Sequence, residues 1–527
     1  MVYSSSVAFF FALILLPPIL GIILKWNTIP QIFEDSDLLS SAMNAIYASF
    51  AIAIFVSIID IIAGLPMAWF IARGQSRWLN VLDTLADIPF IVPTVTLGYS
   101  LLLFWSEPQG ISSLFGVQSL ISPGWILVIL LHFAFSYPSI VRVMVGALLD
   151  YKQEYEEAAR TLGATPFTAD RTVTFPLLKY SLVAAFTLAF ARSISETGAT
   201  MMVAGAFQHG PIFIKNAKEL GYEGALVFVS FILIAVACLI YTAIRFLVPR
   251  LKMPIKKVWP KTEKKLSSSG VVTLRNGLTL LAFFLIVLIP ALFVTLPTGY
   301  AIFSGTLNKA LAGVYPWEGY WHSLALSYLV GAVVTLLNVA ISFPMAILIA
   351  RRRIGGLPST ILDVLVNIPM IIPSTALGVS LSIFWTENFA FVPEIWLLIF
   401  AHLSITYPYF VRSMSAAVER IPEELEEAAR TLGSRPFSVF KTIILPLTKY
   451  SLLSGAIMMF TRSVDETGAT IAVVKELRTA PVLLVDWVNL LNQGEITSLD
   501  MGLGCGFLVI FSFIILLILR FIARGRR

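Results

Sequence analysis

Charge is scarce in this 527-residue sequence. Charged residues make up 13% of it, about half the share found in ordinary soluble domains. A soluble enzyme of several domains is therefore excluded. Cysteine is nearly absent. Cys238 and Cys505 both lie inside apolar runs, which excludes a disulfide framework and a cysteine-based metal site. The four histidines are scattered and there is no Cys-x-x-Cys, so neither a metal cluster nor a nucleophile–base pair supports a membrane-embedded enzyme. No Gly-Lys dipeptide occurs anywhere. That excludes a phosphate-binding loop of the G-x-x-x-x-G-K-[ST] type. If ATP drives this protein, another polypeptide must bind it.

What the sequence has is long apolar runs. Hydrophobic residues make up 57% and the mean hydropathy is +0.86. A helix needs about 20 apolar residues to cross a bilayer. Such runs lie near 2–24, 41–72, 86–105, 124–147, 177–203 and 224–247. A second set lies near 273–297, 321–350, 366–385, 395–417, 447–473 and 500–520. The prediction is an all-α polytopic membrane protein with twelve transmembrane helices, six and six. The first run lacks a basic leader and a small-residue cleavage site, so it counts as a span.

The formal charge of +6 does not indicate nucleic acid, because the basic residues sit in short segments between spans. With both termini in the cytoplasm, 29 of the 37 Lys and Arg fall on the cytoplasmic side. Lys25, Lys215, Lys218, Lys309, Lys475 and Arg478 fall outside, and Arg192 and Arg462 lie within spans. The midpoint, Arg245 to Lys265, holds eight basic residues and runs into Ser267-Ser268-Ser269-Gly270. It reads as a flexible cytoplasmic linker over 251–270, between a first half at 1–250 and a second at 271–527. Contact with anionic lipid headgroups is a further possibility for it.

The halves are copies. Residues 154–200 align on 424–470 with 26 identities in 47 positions. Ile88–Pro93 matches Ile368–Pro373, and Phe104–Glu107 matches Phe384–Glu387. Six is even, so the two repeats run parallel through the membrane. Two architectures fit: a secondary transporter with two six-helix halves, driven by an ion gradient, or a permease made by fusing two subunits.

One loop of each half separates these. It reads Glu154-Tyr155-Glu156-Glu157-Ala158-Ala159-Arg160-Thr161-Leu162-Gly163, and Glu424-Leu425-Glu426-Glu427-Ala428-Ala429-Arg430-Thr431-Leu432-Gly433. Carboxylates in the first turns, alanines, and a glycine at the end predict a short helix. Pro176 and Pro446 then mark entry to the next span. This pattern resembles the EAA loop of binding-protein-dependent ABC importer permeases. Glu427, Ala428, Ala429, Gly433, Ile443, Leu445 and Pro446 match it throughout; in the first copy Val173 and Phe175 replace Ile and Leu. The resemblance implies coupling helices that dock on ATPase subunits. It implies two ATPase copies, an external solute-binding protein and a plasma-membrane location, with no cofactor held by this chain. In the ion-gradient alternative, Asp60, Glu196 and Glu466 would be relays, and the duplicated loop would have no role.

Ionisable residues inside spans are candidates for the path or gate. Arg192 and Glu196 are four apart, as are Arg462 and Glu466, which predicts one helix face for each pair. Bracing the bundle and lining the path both remain open for them. Their surroundings resemble the G-E-F-G-A-T stretch of molybdate and sulfate permeases, with Thr197 and Thr467 in place of Phe. Asp60 aligns with Asn338; the two could hydrogen-bond across the halves in a purely structural role, or belong to the path or gate. Asp83 and Asp363 read as solvated or helix-capping. Pro89/Pro93 and Pro369/Pro373, followed by Gly98 and Gly378, predict interrupted helices beside the path. This run resembles the P-x-x-x-P segment of molybdate, sulfate and thiamine permeases. His132 and His402 are expected as satisfied core histidines. The segments 205–223 and 474–499 are expected at an outer gate or docking surface, the second as an interfacial or re-entrant helix around Trp487. The resemblances imply a small inorganic ion (ferric iron, molybdate, tungstate or sulfate) or thiamine as cargo.

Overall fold

The structure is a computed structural model that describes residues 2–74, 76, 78–247 and 259–524. Among the described residues all regular structure is helical. Ten helices are long and apolar enough to cross a membrane, and two bent helix pairs bring the spans to as many as twelve.

The bent pairs are the third and ninth spans. They are broken segments rather than continuous helices: Val81–Phe90 meets Thr94–Trp105 at 104°, and Gly356–Ile371 meets Ser374–Asn388 at 102°. The cause is local. Val92 and Ile372 precede prolines and are extended, with ψ of 122° and 131°, as a residue before proline prefers. Pro93 and Pro373 have no N–H to continue the first helix, and each opens the second instead.

The fifth and eleventh spans begin earlier than expected. They run over Pro166–Ser195 and Pro436–Val464, because Pro166 and Pro436 already occupy the favoured first helical position. Pro176 and Pro446 therefore lie inside the helix. The hydrogen-bond ladder adapts through one π-turn just upstream of each, at Asp170–Thr174 and Phe440–Ile444. Matching π-turns precede prolines in the first and seventh spans, at Phe10–Leu15 and Phe283–Leu288.

The chain forms two compact units that cut across the sequence repeat. One comprises 45–209 and 235–296; the other comprises 1–44, 210–234 and 297–527. Each unit thus takes its first span from the other repeat. In the first of these, Ser100 Oγ donates to the Pro290 carbonyl at 2.6 Å and accepts the Val294 N–H at 2.8 Å, which fastens the seventh span onto Thr94–Trp105. In the other, the N-terminal span lies along the ninth, and a Cβ on Gly21 would overlap the Ser380 carbonyl at 1.8 Å. Phe10 stacks on Tyr407 there at 5.4 Å.

Of the linker at 251–270, residues 251–258 lie outside the described residues. The rest is not a free tether. Pro260–Leu266 is a helix that leads through Ser267 into the seventh span. Its Glu263 is 1% exposed. A carboxylate this buried must have partners, and Arg171 supplies one at 2.9 Å.

Candidate functional site

The two predicted short helices form, as Glu154–Thr161 and Glu423–Thr431. Gly163 and Gly433 end them with φ of +95° and +86°. A left-handed residue there lets the next N–H turn back onto the helix: Ala164 donates to the Ala159 carbonyl at 3.1 Å, and Ser434 to Ala429 at 3.0 Å. No side chain crowds either glycine, so conformation rather than space requires it.

Neighbouring glutamates in each helix have opposite surroundings. Glu156 and Glu426 are buried, whereas Glu157 and Glu427 are exposed. Glu156 pairs with Arg73 at 3.3 Å, and Arg73 is the last residue of the second span. Arg73 also donates to Gln153 at 3.1 Å and lies over the Tyr151 ring. Glu426 pairs with Arg351 at 2.8 Å, just past the end of the eighth span, with Arg353 at 3.4 Å and Arg430 at 3.7 Å. Arg351 also donates to the Ile421 carbonyl at 2.8 Å. A cavity of about 100 Å³ opens among Arg351, Arg353, Arg430 and the helix's glutamates.

Each helix is thus tied to the end of the second or the eighth span. Its free face carries Glu157, Ala158 and Leu162, or Glu427, Ala428 and Leu432; Ala159 and Ala429 are half-buried. Leu162 is 90% exposed and Leu432 86%. Arg73 and Arg351 were not singled out from the sequence. Their signal was present, since they keep the same spacing from Asp60 and Asn338 in both repeats.

The broken spans build a second repeated arrangement. The fifth helix ends at Ser195 and the eleventh at Val464, and short helices Gly198–Val203 and Gly468–Val473 follow. Glu196 and Glu466 therefore lie beyond the helices that carry Arg192 and Arg462, not on a continuous helix face. Each carboxylate accepts an N–H of the following short helix, from Ala199 and Ala469, both at 2.9 Å. That places negative charge at a helix start, where it is favoured.

Arg462 pairs with Glu466 at 2.6 Å. The Arg192 guanidinium lies over Phe90 at 4.6 Å and Phe135 at 4.1 Å.

Two glycines and two histidines fix the short helices. A Cβ on Gly98 would come within 2.7 Å of the Ala199 carbonyl oxygen, and one on Gly378 within 2.7 Å of Ala469 Cα. Backbone touches backbone at both crossings, which only glycine permits. His132 Nδ1 meets Ser193 Oγ at 2.8 Å and its Nε2 meets Thr200 Oγ1 at 2.9 Å. His402 repeats this with Ser463 and Thr470 at the same distances. These are satisfied core histidines, as expected, and they pin the fourth and tenth spans to both sides of each helix break.

Asp60 accepts from Ser136, and Asn338 donates to Thr406 at 2.8 Å and to the Leu403 carbonyl. Each of these bonds lies within its own repeat. Both partners lie on the span that carries the histidine. Asp83 is not simply solvated or capping: with Asp87 it pairs with Arg142.

The segments 205–223 and 474–499 carry the helices Gly210–Leu220 and Ala480–Asn492. Trp487 is 2% exposed and packs on Trp317 and Tyr320. Its helix therefore covers protein rather than an interface with lipid. Lys218 Nζ donates to the carbonyls of Ile471 and Ala472 at 2.7 and 2.8 Å, capping the end of Gly468–Val473. Burial, with help from Lys475, pulls its pKa down to about 8.

Among the described residues no group of three or more His, Cys, Asp or Glu is placed to hold a metal.

The profile of the family "Binding-protein-dependent transport system inner membrane component" matches residues 61–253 and 342–525. The chain belongs to this family, and it carries the family's domain twice. It is 30% identical over 246 residues to the sulfate transport system permease protein CysT of Salmonella typhimurium, covering 44% of this chain and 87% of that protein. It is 28% identical over 198 residues to the molybdate/tungstate transport system permease protein WtpB of Pyrococcus abyssi, covering 37% of this chain and 77% of that protein. The Escherichia coli CysT is 28% identical over 249 residues, with 44% and 87% covered. Most of each relative matches less than half of this chain, so each corresponds to about one repeat. The chain is a multi-pass membrane permease of an ABC importer, with two permease halves in one polypeptide. Membership of this family decides against the gradient-driven transporter.

Proposed function

We propose that this permease carries a small tetrahedral oxyanion (sulfate, molybdate or tungstate) delivered by an external binding protein, with two ATPase subunits driving one chain. Oxyanion cargo is supported by the relatives, which are named for sulfate and for molybdate/tungstate. The pairing with two ATPases rests on one observation. Two repeat-equivalent helices each expose a face centred on Glu157 and Leu162 or Glu427 and Leu432, while Glu156 or Glu426 anchors the opposite side.

A lever needs both properties. The free face takes the push of the ATPase. The buried ion pair passes it to the second or eighth span, and the continuous helix beginning at Pro166 or Pro436 passes it to the fifth or eleventh. The far ends of those last helices carry the glutamate-capped short helices, Gly198–Val203 and Gly468–Val473. We assign these, with Arg192, Glu196, Arg462 and Glu466, to the gate. The prolines 89, 93, 369 and 373 set the broken segments that cross them, and Asp60 and Asn338 brace the adjoining spans. The coupling helices face the cytoplasm, as do both termini; ATP is bound and hydrolysed by the partners. The opposite face receives the binding protein.

The test is reconstitution in lipid nanodiscs with the partner ATPase and binding protein. Sulfate, molybdate, tungstate, ferric iron and thiamine are offered in turn. Stimulation of ATP hydrolysis by a binding protein loaded with one of the three oxyanions supports the reading. Stimulation by iron or thiamine alone would refute the cargo assignment, and no stimulation by any solute would refute the coupling assignment.

A further inference from the structure

The two coupling loops differ in one built feature. Against the first lies the linker helix Pro260–Leu266. Its buried Glu263 accepts from Thr168 Oγ1, from Arg171 Nε at 3.1 Å, and from the Trp259 N–H at 3.3 Å. The Arg171 guanidinium lies over the Trp259 ring at 5.5 Å. Ser267 Oγ accepts the Phe167 N–H at 3.0 Å and lies 3.1 Å from Thr165 Oγ1. Thr165 in turn caps the start of the fifth span. The linker therefore grips the four residues Thr165, Phe167, Thr168 and Arg171, which lie just after the first coupling helix.

At the corresponding places the second loop has Arg435, Phe437, Ser438 and Lys441. Phe437 is 74% exposed, whereas Phe167 is half-buried. The grip belongs to the first loop alone among the described residues.

We propose that the linker helix is a transmission brace, and that Glu263 and Arg171 are its positioning residues. The helix leads directly into the seventh span, which is fastened onto Thr94–Trp105 through Ser100. A push on the first coupling helix therefore reaches the seventh span as well as the fifth. A push on the second reaches the eleventh without such a brace. The linker does more than keep two halves in one chain: it makes the two ATPase sites mechanically unequal. Thr168 is the main cause that holds the Glu263 pKa below the usual carboxylate value, with the Trp259 N–H and Arg171 adding to it. The brace thus stays ionised through the physiological range. This inference rests on the coupling helices being the ATPase docking elements.

The experiment uses the full complex in nanodiscs and measures sulfate or molybdate moved per ATP hydrolysed. Variants are Glu263→Gln, Arg171→Gln, the exchange Glu263→Arg with Arg171→Glu, and Lys441→Gln in the second loop. Glu427→Lys is the control for docking. A second readout is the distance between spin labels at Leu177→Cys on the fifth span and Leu274→Cys on the seventh, with Cys238 and Cys505 replaced by Ser. Both label positions are exposed.

The brace predicts that Glu263→Gln and Arg171→Gln each lower uptake per ATP by roughly 2- to 30-fold, the range of mutations along coupling networks. The exchange should recover part of it, and Lys441→Gln should change nothing. The label distance should stay fixed through the ATP cycle in the wild type and vary in Glu263→Gln. Unchanged uptake and distance in both single variants, with Glu427→Lys uncoupled, would overturn the brace and leave docking intact. If Glu427→Lys is also silent, docking fails and the brace falls with it.

Discussion

The first and second coupling loops share a sequence and differ in what holds them. Among the described residues Glu156 pairs with one arginine, Arg73, and its loop is gripped by the linker helix. Glu426 has three arginines, Arg351, Arg353 and Arg430, and its loop has an exposed Phe437 in place of the grip. The two loops reach rigidity by different routes: one by a second element packed beside it, the other by charge concentrated within it. The two repeats share the exposed face, with Glu157 and Leu162 in one and Glu427 and Leu432 in the other. The requirement at each site is stiffness, and stiffness can be met locally in more than one way.

The largest effect that would break this comparison is expected at Glu426. Glu426→Gln takes from Arg351, whose side chain is 5% exposed, its buried carboxylate at 2.8 Å and leaves it the exposed Glu423 at 3.7 Å. Removing one partner of a buried pair costs about 3–5 kcal/mol. Glu156→Gln leaves the less buried Arg73, at 18% exposed, which keeps Gln153 and Tyr151. About 1–3 kcal/mol is expected there. Denaturant unfolding in detergent checks both; equal losses would mean that the arginine cluster adds nothing.

The next effect should be the same in both repeats. Gly98→Val and Gly378→Val each drive a side chain into the backbone of a short helix. Overpacking of this kind costs about 1–3 kcal/mol, and uptake should fall with each. Thermal unfolding and transport assays would show whether the two crossings are equivalent. A tolerated valine at one of them would show that the gate is one-sided.

These symmetrical features were the most legible in the sequence. The coupling helices, their glycine ends and the interrupted third and ninth spans follow from local rules that hold wherever the chain lies. The positions of Glu196 and Glu466 were misread, because a spacing of four implies one helix face only if the helix continues. Here it stops at Ser195 and at Val464. The hydroxyl partners of Asp60 and Asn338 were not legible either, because alignment shows equivalence and not contact; each lies on its own repeat's next span but one. The linker was read by composition. Basic, serine-rich sequence is usually solvated, and a single buried glutamate inside it gives no periodic signal.

The smallest effect concerns Lys218, which caps Gly468–Val473. Its folded pKa is about 8, against about 10.4 for a free lysine. The unfolded chain therefore keeps this proton to higher pH than the folded one. By linkage, the lysine's burial penalty is relieved as pH rises from about 8 towards 10, so stability contributed at this site rises over that window. The wild type should gain stability relative to Lys218→Met between those pH values. A pH-independent difference would mean that the lysine is not buried as described.

The most direct test of the central claim is a count of ATPase subunits bound to one permease chain, by native mass spectrometry from nanodiscs. Two copies are predicted on the wild type, one on Glu427→Lys, and none on the double variant Glu157→Lys with Glu427→Lys. Two copies retained on the double variant would contradict the account.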